Sequence, residues 1–510
     1  MSDFHFLPYR PHRPPPPASF LLVIALAACA AGPDFVKPTP ASPEDWTSWR
    51  SGDESLRTRV DTGETLPARW WQAFGDSVLD RLLQRAFDAS PDLQTAALRF
   101  AQARAQRAGV AAQRAPQIDL TGGATRQRQS EWGAATRVFN ALGGASAAST
   151  PNAAQLLSEP FTLYQAGFDA SWELDLWGRV RRSVEAADAD AAQHAALFEL
   201  AGLSLASDVV RNYLELRTTQ RLIQVMREEV AALEERLELT RARVRGGVLD
   251  HLDLERRRAE LAAMKAQLPG LLAQEGVNAN QIALLLGERP GALRDELAPQ
   301  AVEVEFMPPD LALGLPSEAA LRRPDIRAAE ARLHSATARI GVAQADLYPS
   351  IRLGARFGYE SYLSGEFSDW GSRAWSVGPS LALPLFDHGR RKSVVQLREL
   401  QQQEAAINYQ QTVLKAWQEI DDALSAYSAE RQQLRELEER ERSAQDIWQL
   451  ALARYDGGVT DFIAVLDAQR GYLQARRERI NGEGRLGSRY VTINKVVGNT
   501  PLGADTARLR

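Results

Sequence analysis

The sequence of 510 residues contains a single cysteine, Cys29, which excludes an intramolecular disulfide. Its six histidines show no metal-ligand spacing, and the chain has neither a nucleophile elbow nor a phosphate-binding loop. We therefore expect no catalytic residue and no metal site, and an enzyme is the weakest of the functions considered. The net charge is only −5, so the chain has no basic footprint for nucleic acid.

Long hydrophobic runs are also missing. No stretch approaches the roughly 18 apolar residues that a transmembrane helix requires, so a chain of this sequence must use strands if it spans a membrane. Aromatic residues make up only 7% of the chain, while alanine, leucine, glutamine, glutamate and arginine dominate. This composition is typical of long helices and coiled coils rather than of a thick globular core.

The N-terminus has the features of an export signal. Two arginines precede the apolar run 20–28, which is too short to span a bilayer permanently. Cys29 follows Leu-Ala-Ala directly, and this tetrapeptide resembles the lipobox of bacterial lipoproteins, whose cysteine is acylated after the signal is removed. We expect residues 1–28 to be a lipoprotein signal peptide and Cys29 to carry a covalent lipid, and the resemblance suggests that Ala30 directs the protein to the outer membrane. The alternative is that Cys29 is a small apolar residue of the signal itself.

The remainder of the chain is a tandem duplication of one long unit. The Pro-Asp pair at Pro91 returns at Pro324, and the motif Arg-x-x-Gly-Gly-Val-x-Asp starts at both Arg243 and Arg454. Each unit mixes helix and strand in the same order. The expected segments are a lipidated linker (29–75), a first repeat (76–300), a second repeat (301–498) and a C-terminal tail (499–510).

Each repeat contains two segments of alternating hydrophobicity, which predict strands with one apolar face. In the second repeat, apolar residues from Ile351 to Tyr359 alternate with a polar set that includes Arg352, Arg356 and Glu360. An ordinary soluble sheet would show the same alternation, but strands of about ten residues also have the length that crosses a bilayer at a tilt. The expected hairpins cover about 117–174 and 350–385, and the Gly- and Ala-rich residues 130–160 predict a long surface loop in the first.

Four strands cannot close into a barrel, and lipid does not tolerate open sheet edges. A membrane role therefore requires that several chains contribute strands to one barrel.

The long proline-free segment 389–455 predicts a helix of about 65 residues, roughly 100 Å long, which indicates a tube or a stalk. It carries apolar residues three and four positions apart, and the first repeat has the same pattern, which favours knobs-into-holes packing. The two stripes are Trp417, Ile420, Leu424, Tyr427 and Leu434 in the second repeat and Ala206, Val209, Tyr213, Leu216 and Ile223 in the first.

Each long helix is expected to end at a Gly-Gly pair that supplies the positive φ of a tight reversal, with an aspartate capping the returning helix. The expected helix pairs cover about 178–286 and 389–497. The turn residues are Gly246, Gly247 and Asp250 in the first repeat and Gly457, Gly458 and Asp461 in the second.

In order along the chain, these motifs resemble the TolC-like outer membrane factor family, in particular its lipoprotein branch of NodT- or OprM-like efflux proteins. The resemblance implies an α+β membrane protein. It would be a homotrimer whose twelve strands close a β-barrel that a long α-helical coiled-coil barrel continues into the periplasm. The matching motifs are Cys29 to Phe35 with Lys37-Pro38, Trp70-Trp71 with Phe74-Gly75-Asp76, Arg323-Pro324-Asp325-Ile326, Tyr348-Pro349-Ser350-Ile351, Leu385-Phe386-Asp387 with Gly389-Arg390, and Leu466 to Arg470.

The implied function is a passive outer-membrane channel of a tripartite efflux system, anchored by lipid in the bacterial outer membrane. Its partners would be a periplasmic adaptor, docked at the two helix turns, and an inner-membrane pump of the RND type, with no cofactor besides the lipid. The alternative is a lipid-anchored periplasmic coiled-coil scaffold or adaptor, which does not explain the two amphipathic hairpins.

The resemblance also implies functional positions inside the tube. Tyr455 and Asp467 match the periplasmic gate of the family, where a ring of acidic side chains constricts the aperture. The alternative for Asp467 is a solvated helix residue with Arg470 one turn away. Arg352, Arg356 and Glu360 lie on the polar face of the alternating strand, and the resemblance implies that they face the barrel lumen.

Overall fold

The computed structural model describes residues 30–40, 42–46, 48–57, 67–130, 132–133, 158–299, 311 and 313–501. The predicted signal peptide, Cys29 and most of the predicted loop 130–160 lie outside the described residues. The described residues divide into two compact units. The first contains residues 30–35, 105–188 and 334–403, and the second contains the others.

The two repeats have the same order of elements, in which one helix, two strands and a long helix follow one another. The helices are α1 (Ser77–Ala89), α2 (Pro91–Ala111), α3 (Arg179–Arg245), α4 (His251–Lys265), α5 (Leu268–Leu285), α6 (Pro316–Arg322), α7 (Pro324–Ala345), α8 (Arg390–Asp456) and α9 (Phe462–Val496). The strands are β1 (Gln117–Gln127), β2 (Phe161–Leu174), β3 (Ser350–Ser361) and β4 (Arg373–Ala382). Among the described residues, we find no helix with both the length and the apolar character needed to cross a bilayer.

The first unit contains one antiparallel sheet in the order β1-β2-β3-β4. The register places apolar residues of all four strands side by side, so that Leu120 is opposite Phe168, Phe168 is opposite Phe357, and Phe357 is opposite Trp375. Leu120 is 72% exposed and Trp375 is 70% exposed. The sheet of one chain therefore has a continuous apolar face that the described residues of the same chain leave exposed.

The long helices α3 and α8 contain 67 residues each, which corresponds to about 100 Å of helix. All five predicted stripe residues of α3 are buried, and so are four of the five on α8, where Trp417 is partly buried. Gln220, the polar residue between Leu216 and Ile223 on the first stripe, is also buried, and its side-chain amide donates to the Leu297 carbonyl (2.7 Å).

The core of the second unit joins the long helices to the segment that precedes α1. Trp70 is fully buried and meets the ring of Tyr490 edge-on at 6.4 Å. Asp76 caps α1 by accepting from the Val78 backbone N–H (2.8 Å), and the buried Tyr213 hydroxyl also donates to it. Full burial of a large apolar side chain contributes about 1.5–3 kcal/mol, so these rings hold the segment firmly on the helices.

The two helix turns have nearly identical backbones. Only the second glycine of each pair has a positive φ, +74° at Gly247 and +71° at Gly458. The next N–H reaches back to the helix, from Val248 to the Arg243 carbonyl (2.9 Å) and from Val459 to the Arg454 carbonyl (2.8 Å), as in a Schellman motif.

Both predicted aspartate caps are confirmed. Asp250 accepts a hydrogen bond from the Asp253 N–H (2.9 Å), and Asp461 accepts one from the Ala464 N–H (3.0 Å). Each cap satisfies one of the free N–H groups at the start of the returning helix.

The prediction of one returning helix is correct for the second repeat and wrong for the first. The helix α9 is continuous over 35 residues, whereas the first repeat returns as α4 and α5 with a break at Ala266 and Gln267. Pro269 in the first turn of α5 explains the break, because proline lacks an N–H donor and its ring clashes with the carbonyl four residues earlier.

We predict that Gly458→Ala destabilises the second turn by about 1 kcal/mol, because an L-residue is strained at positive φ. The matched variant Gly457→Ala should have little effect, since the added methyl group would lie 3.5 Å from its nearest neighbour, the Ala453 carbonyl oxygen. Hydrogen–deuterium exchange of the amides around the turn measures both. Equal exchange rates in the two variants would contradict the prediction.

Candidate functional site with its gate, polar sheet face and N-terminal clasp

The polar face of the sheet carries charges of both signs. Arg352, Arg356 and Glu360 lie on this face, and each is opposite a polar residue of β2. The three contacts are Arg352 with Glu173 (3.7 Å), Arg356 with Asp169 (3.7 Å) and Gln165 with Glu360 (2.9 Å). Exposed ion pairs at these distances contribute little to stability. This face is therefore a polar surface, and its ion pairs do little to hold the strands together.

Tyr455 and Asp467 lie on either side of the second helix turn. The ring of Tyr455 contacts the ring of Phe462 at 5.0 Å. Asp467 accepts a hydrogen bond from Arg236 of α3 (2.9 Å), whereas Arg470, the neighbour expected from the sequence, pairs with Glu260 (2.6 Å). Asp467 is therefore linked to the other helix pair.

Arg236 is the residue at this site that the sequence did not indicate. Its side chain is 3% exposed, while that of Asp467 is 59% exposed. Within the described residues, Nε and Nη1 of Arg236 have no hydrogen-bond partner. Asp467 thus provides the counter-charge for a buried guanidinium that would be costly to leave unpaired.

Residues 31–34, which begin two positions after the predicted lipid site, are held by a buried arginine of α3 in a cluster that we call the clasp. Arg182 is 5% exposed and donates to Glu185 (2.7 Å), to Asp34 (2.5 Å) and to the Ala31 carbonyl (3.2 Å). The segment also lies close against α7, because a methyl group on Gly341 would be 2.7 Å from the Ala31 carbonyl oxygen. The clasp joins two helices to the segment that leads to Cys29.

His334 of α7 completes the clasp. Its Nε2 lies 2.9 Å from Glu185, and its ring stacks on Phe35 at 4.2 Å. Burial opposes ionisation of Glu185, but hydrogen bonds from Arg182 and His334 outweigh burial, so the pKa of Glu185 is lowered. No motif in the sequence indicates this cluster, because its members come from three distant segments.

The family is decided by comparison with known proteins. A family model described as outer membrane efflux protein matches residues 82–288 and 315–499. Each stretch contains one strand pair, one long helix and the helical segment that returns from it, so the match reproduces the duplication. The chain belongs to the outer membrane efflux protein family.

Individual relatives match this efflux protein over most of their length. The outer membrane protein OprJ of Pseudomonas aeruginosa is 30% identical over 456 residues, covering 89% of this chain and 89% of that protein. Nodulation protein T of Rhizobium leguminosarum bv. trifolii is 26% identical over 476 residues, covering 93% and 95%. The solved structure of the outer-membrane channel OprN is similar at a TM-score of 0.79 and 31% identity, covering 93% of this chain and 100% of that chain.

These comparisons settle the class of function. The efflux protein is an outer-membrane channel, and the alternative of a periplasmic scaffold or adaptor is set aside. The family and the location predicted from the sequence motifs are confirmed.

We predict that Asp467→Ala lowers the free energy of unfolding by about 1–2 kcal/mol, because the buried Arg236 loses its charged acceptor. The double variant with Arg236→Leu should recover most of this loss. Asp446→Ala removes an exposed carboxylate of α8 and serves as the control. Chemical unfolding of the purified protein measures all of them, and an additive double variant would contradict the prediction.

The lowered pKa of Glu185 predicts a pH dependence of the clasp. A depressed carboxyl pKa contributes stability above its ordinary value of 4.5, and this stability is lost as the pH falls through the lower value of the folded state. A spin label at Val36, which is 82% exposed, should therefore be immobile at neutral pH and become mobile only below pH 4.5.

Glu185→Gln should make the label more mobile already at neutral pH. Asp188→Asn, which alters a separate exposed ion pair with Arg107, is the control and should leave the label unaffected. A label whose mobility is the same in Glu185→Gln and in the parent protein would show that the clasp does not hold this segment.

Proposed function

We propose that three copies of this chain form one outer-membrane channel, in which twelve strands close a barrel and the long helices continue it as a coiled-coil barrel into the periplasm. The observation that carries the proposal is the open sheet. Within the described residues, β1 and β4 are its edges, and its apolar face is exposed. An unpaired sheet edge in hydrocarbon costs several kcal/mol for each backbone group, so other chains must pair with both edges.

The strand directions permit this closure. With four antiparallel strands, β1 and β4 run in opposite directions. The β4 strand of one copy can therefore pair with the β1 strand of the next copy in the antiparallel sense around the whole ring. Its apolar face then contacts lipid, while Arg352, Arg356 and Glu360 line a polar lumen.

The channel conducts small molecules passively from the periplasm to the exterior and catalyses no reaction. A periplasmic adaptor and an inner-membrane pump of the RND type supply the substrate and the energy. The adaptor docks at the turns around Gly246 and Gly457, where the chain reverses.

Cys29 carries a covalent lipid that anchors each chain in the outer membrane. The clasp supports this role, since Arg182 ties the backbone at Ala31 and the side chain at Asp34. A lipid attached two residues before Ala31 would thereby be held close to α3 and α7.

The gate lies at Tyr455 and Asp467. Three symmetry-related carboxylates that face one axis would repel one another, attract cations and narrow the aperture. Arg236 offsets part of this repulsion within each chain, and its bond joins α9 to α3, so rotation of either helix would disturb it.

Planar-bilayer conductance of the purified trimer tests the proposal. We expect Asp467→Asn to lower the preference for cations and to raise the conductance, because the ring loses three charges. Asp446→Asn removes the same charge from α8 and is expected to change neither quantity. A protein that forms no trimers and no pores would refute the channel, whereas pores with identical selectivity in all three proteins would refute only the gate.

A further inference from the structure

The two helix turns of one chain lie at the same end of the long helices. Ion pairs show that α3 and α9 are antiparallel, because the residue numbers on α9 decrease as those of their partners on α3 increase. From Arg236, which pairs with Asp467, nine residues of α3 lead to its end at Arg245, or about 14 Å, and from Asp467 five residues of α9 lead back to its start at Phe462, or about 8 Å. The ion pairs are Arg221 with Glu483, Glu228 with Arg476, and Arg236 with Asp467.

The turns share a backbone but carry opposite charge. Residues 241–258 contain six arginines and three carboxylates, whereas the matching residues 452–469 contain one arginine and three carboxylates. Two matching positions are inverted in sign: Arg245 corresponds to Asp456 and Arg256 corresponds to Asp467. A basic turn and an acidic turn therefore lie at the same end of each chain.

Local stability does not explain Asp456. This exposed carboxylate is the last residue of α8, where the helix dipole disfavours a negative charge. Arg245 is the last residue of α3 and is favoured by the dipole. Within the described residues, neither side chain has an ion-pair partner, so both charges are available to a partner molecule.

Exposed apolar residues lie beside these charges. Val248 is 72% exposed in the first turn, and its counterpart Val459 is 67% exposed in the second. An exposed apolar side chain flanked by unpaired charge is typical of a protein-docking surface, in which charge complementarity selects the partner and fixes its register.

We propose that the two turns are distinct docking sites for a helical-hairpin partner, the first for an acidic tip and the second for a basic tip. The inference rests on the proposed docking of an adaptor and deepens it. In a trimer the six turns would alternate in sign around the ring, so a partner of alternating charge would dock in one rotational register.

Site-specific photocrosslinking of the purified protein tests this pairing. A photoreactive amino acid replaces Val248 or Val459, and the probes are two stapled helical-hairpin peptides that differ only in glutamates or lysines at the tip. We expect the glutamate hairpin to label position 248 roughly tenfold more than position 459, and the lysine hairpin to show the reverse preference, as expected for electrostatic steering.

Charge variants show whether the preference depends on the inverted pair. Arg245→Asp should abolish labelling of position 248 by the glutamate hairpin, and Asp456→Arg should abolish labelling of position 459 by the lysine hairpin. The variants Arg245→Lys and Asp456→Glu keep the charge and should keep the labelling.

Equal labelling of both positions, no labelling, or preferences that survive charge reversal would overturn the inference. Crosslinks between positions 248 and 459 of separate trimers in the absence of peptide would also overturn it, in favour of a second copy as the partner. Conductance of the same preparation separates these outcomes from a failure of the channel itself. Pores without a labelling preference would leave the channel standing and remove only the docking assignment.

Discussion

An apolar sheet with two open edges is the constraint on which the rest of the structure depends. Hydrocarbon offers no hydrogen bonds, so the edge groups of β1 and β4 must be paired by other chains if the sheet enters a bilayer. Lipid can cover the apolar row from Leu120 to Trp375 only if other chains pair with both edges of the sheet. In the chain, the long helices α3 and α8 come shortly after the ends of the strands β2 and β4.

Duplication supplies each structural part twice, and the copies differ in surface charge at the turns proposed to dock a partner. The turn backbones agree to within a few degrees at Gly247 and Gly458. Their surfaces have diverged, as Arg245 and Asp456 illustrate. Surface charge can change without disturbing a turn that depends on one glycine and one capping aspartate, so the repeat can acquire new partners while its fold is retained.

Buried arginines tie together segments that are distant in the sequence. Arg182 ties the N-terminal segment to α3 through Asp34, and Arg236 ties α3 to α9 through Asp467. A buried guanidinium is costly without its acceptor, so each pair disfavours arrangements that separate its two residues. Both residues lie on α3, which is one continuous helix from Arg179 to Arg245.

Sequence alone determined the duplication, the strands, the long helices, their buried stripes, the caps at Asp250 and Asp461 and the family. These features depend on hydrophobic periodicity and on single glycine and aspartate residues, whose effects extend over only a few neighbouring residues. It did not predict the break in the first returning helix, which Pro269 explains. The tertiary structure alone decided that Asp467 pairs with Arg236 rather than with Arg470. These two residues are 231 positions apart, and no local pattern records which faces of two packed helices meet.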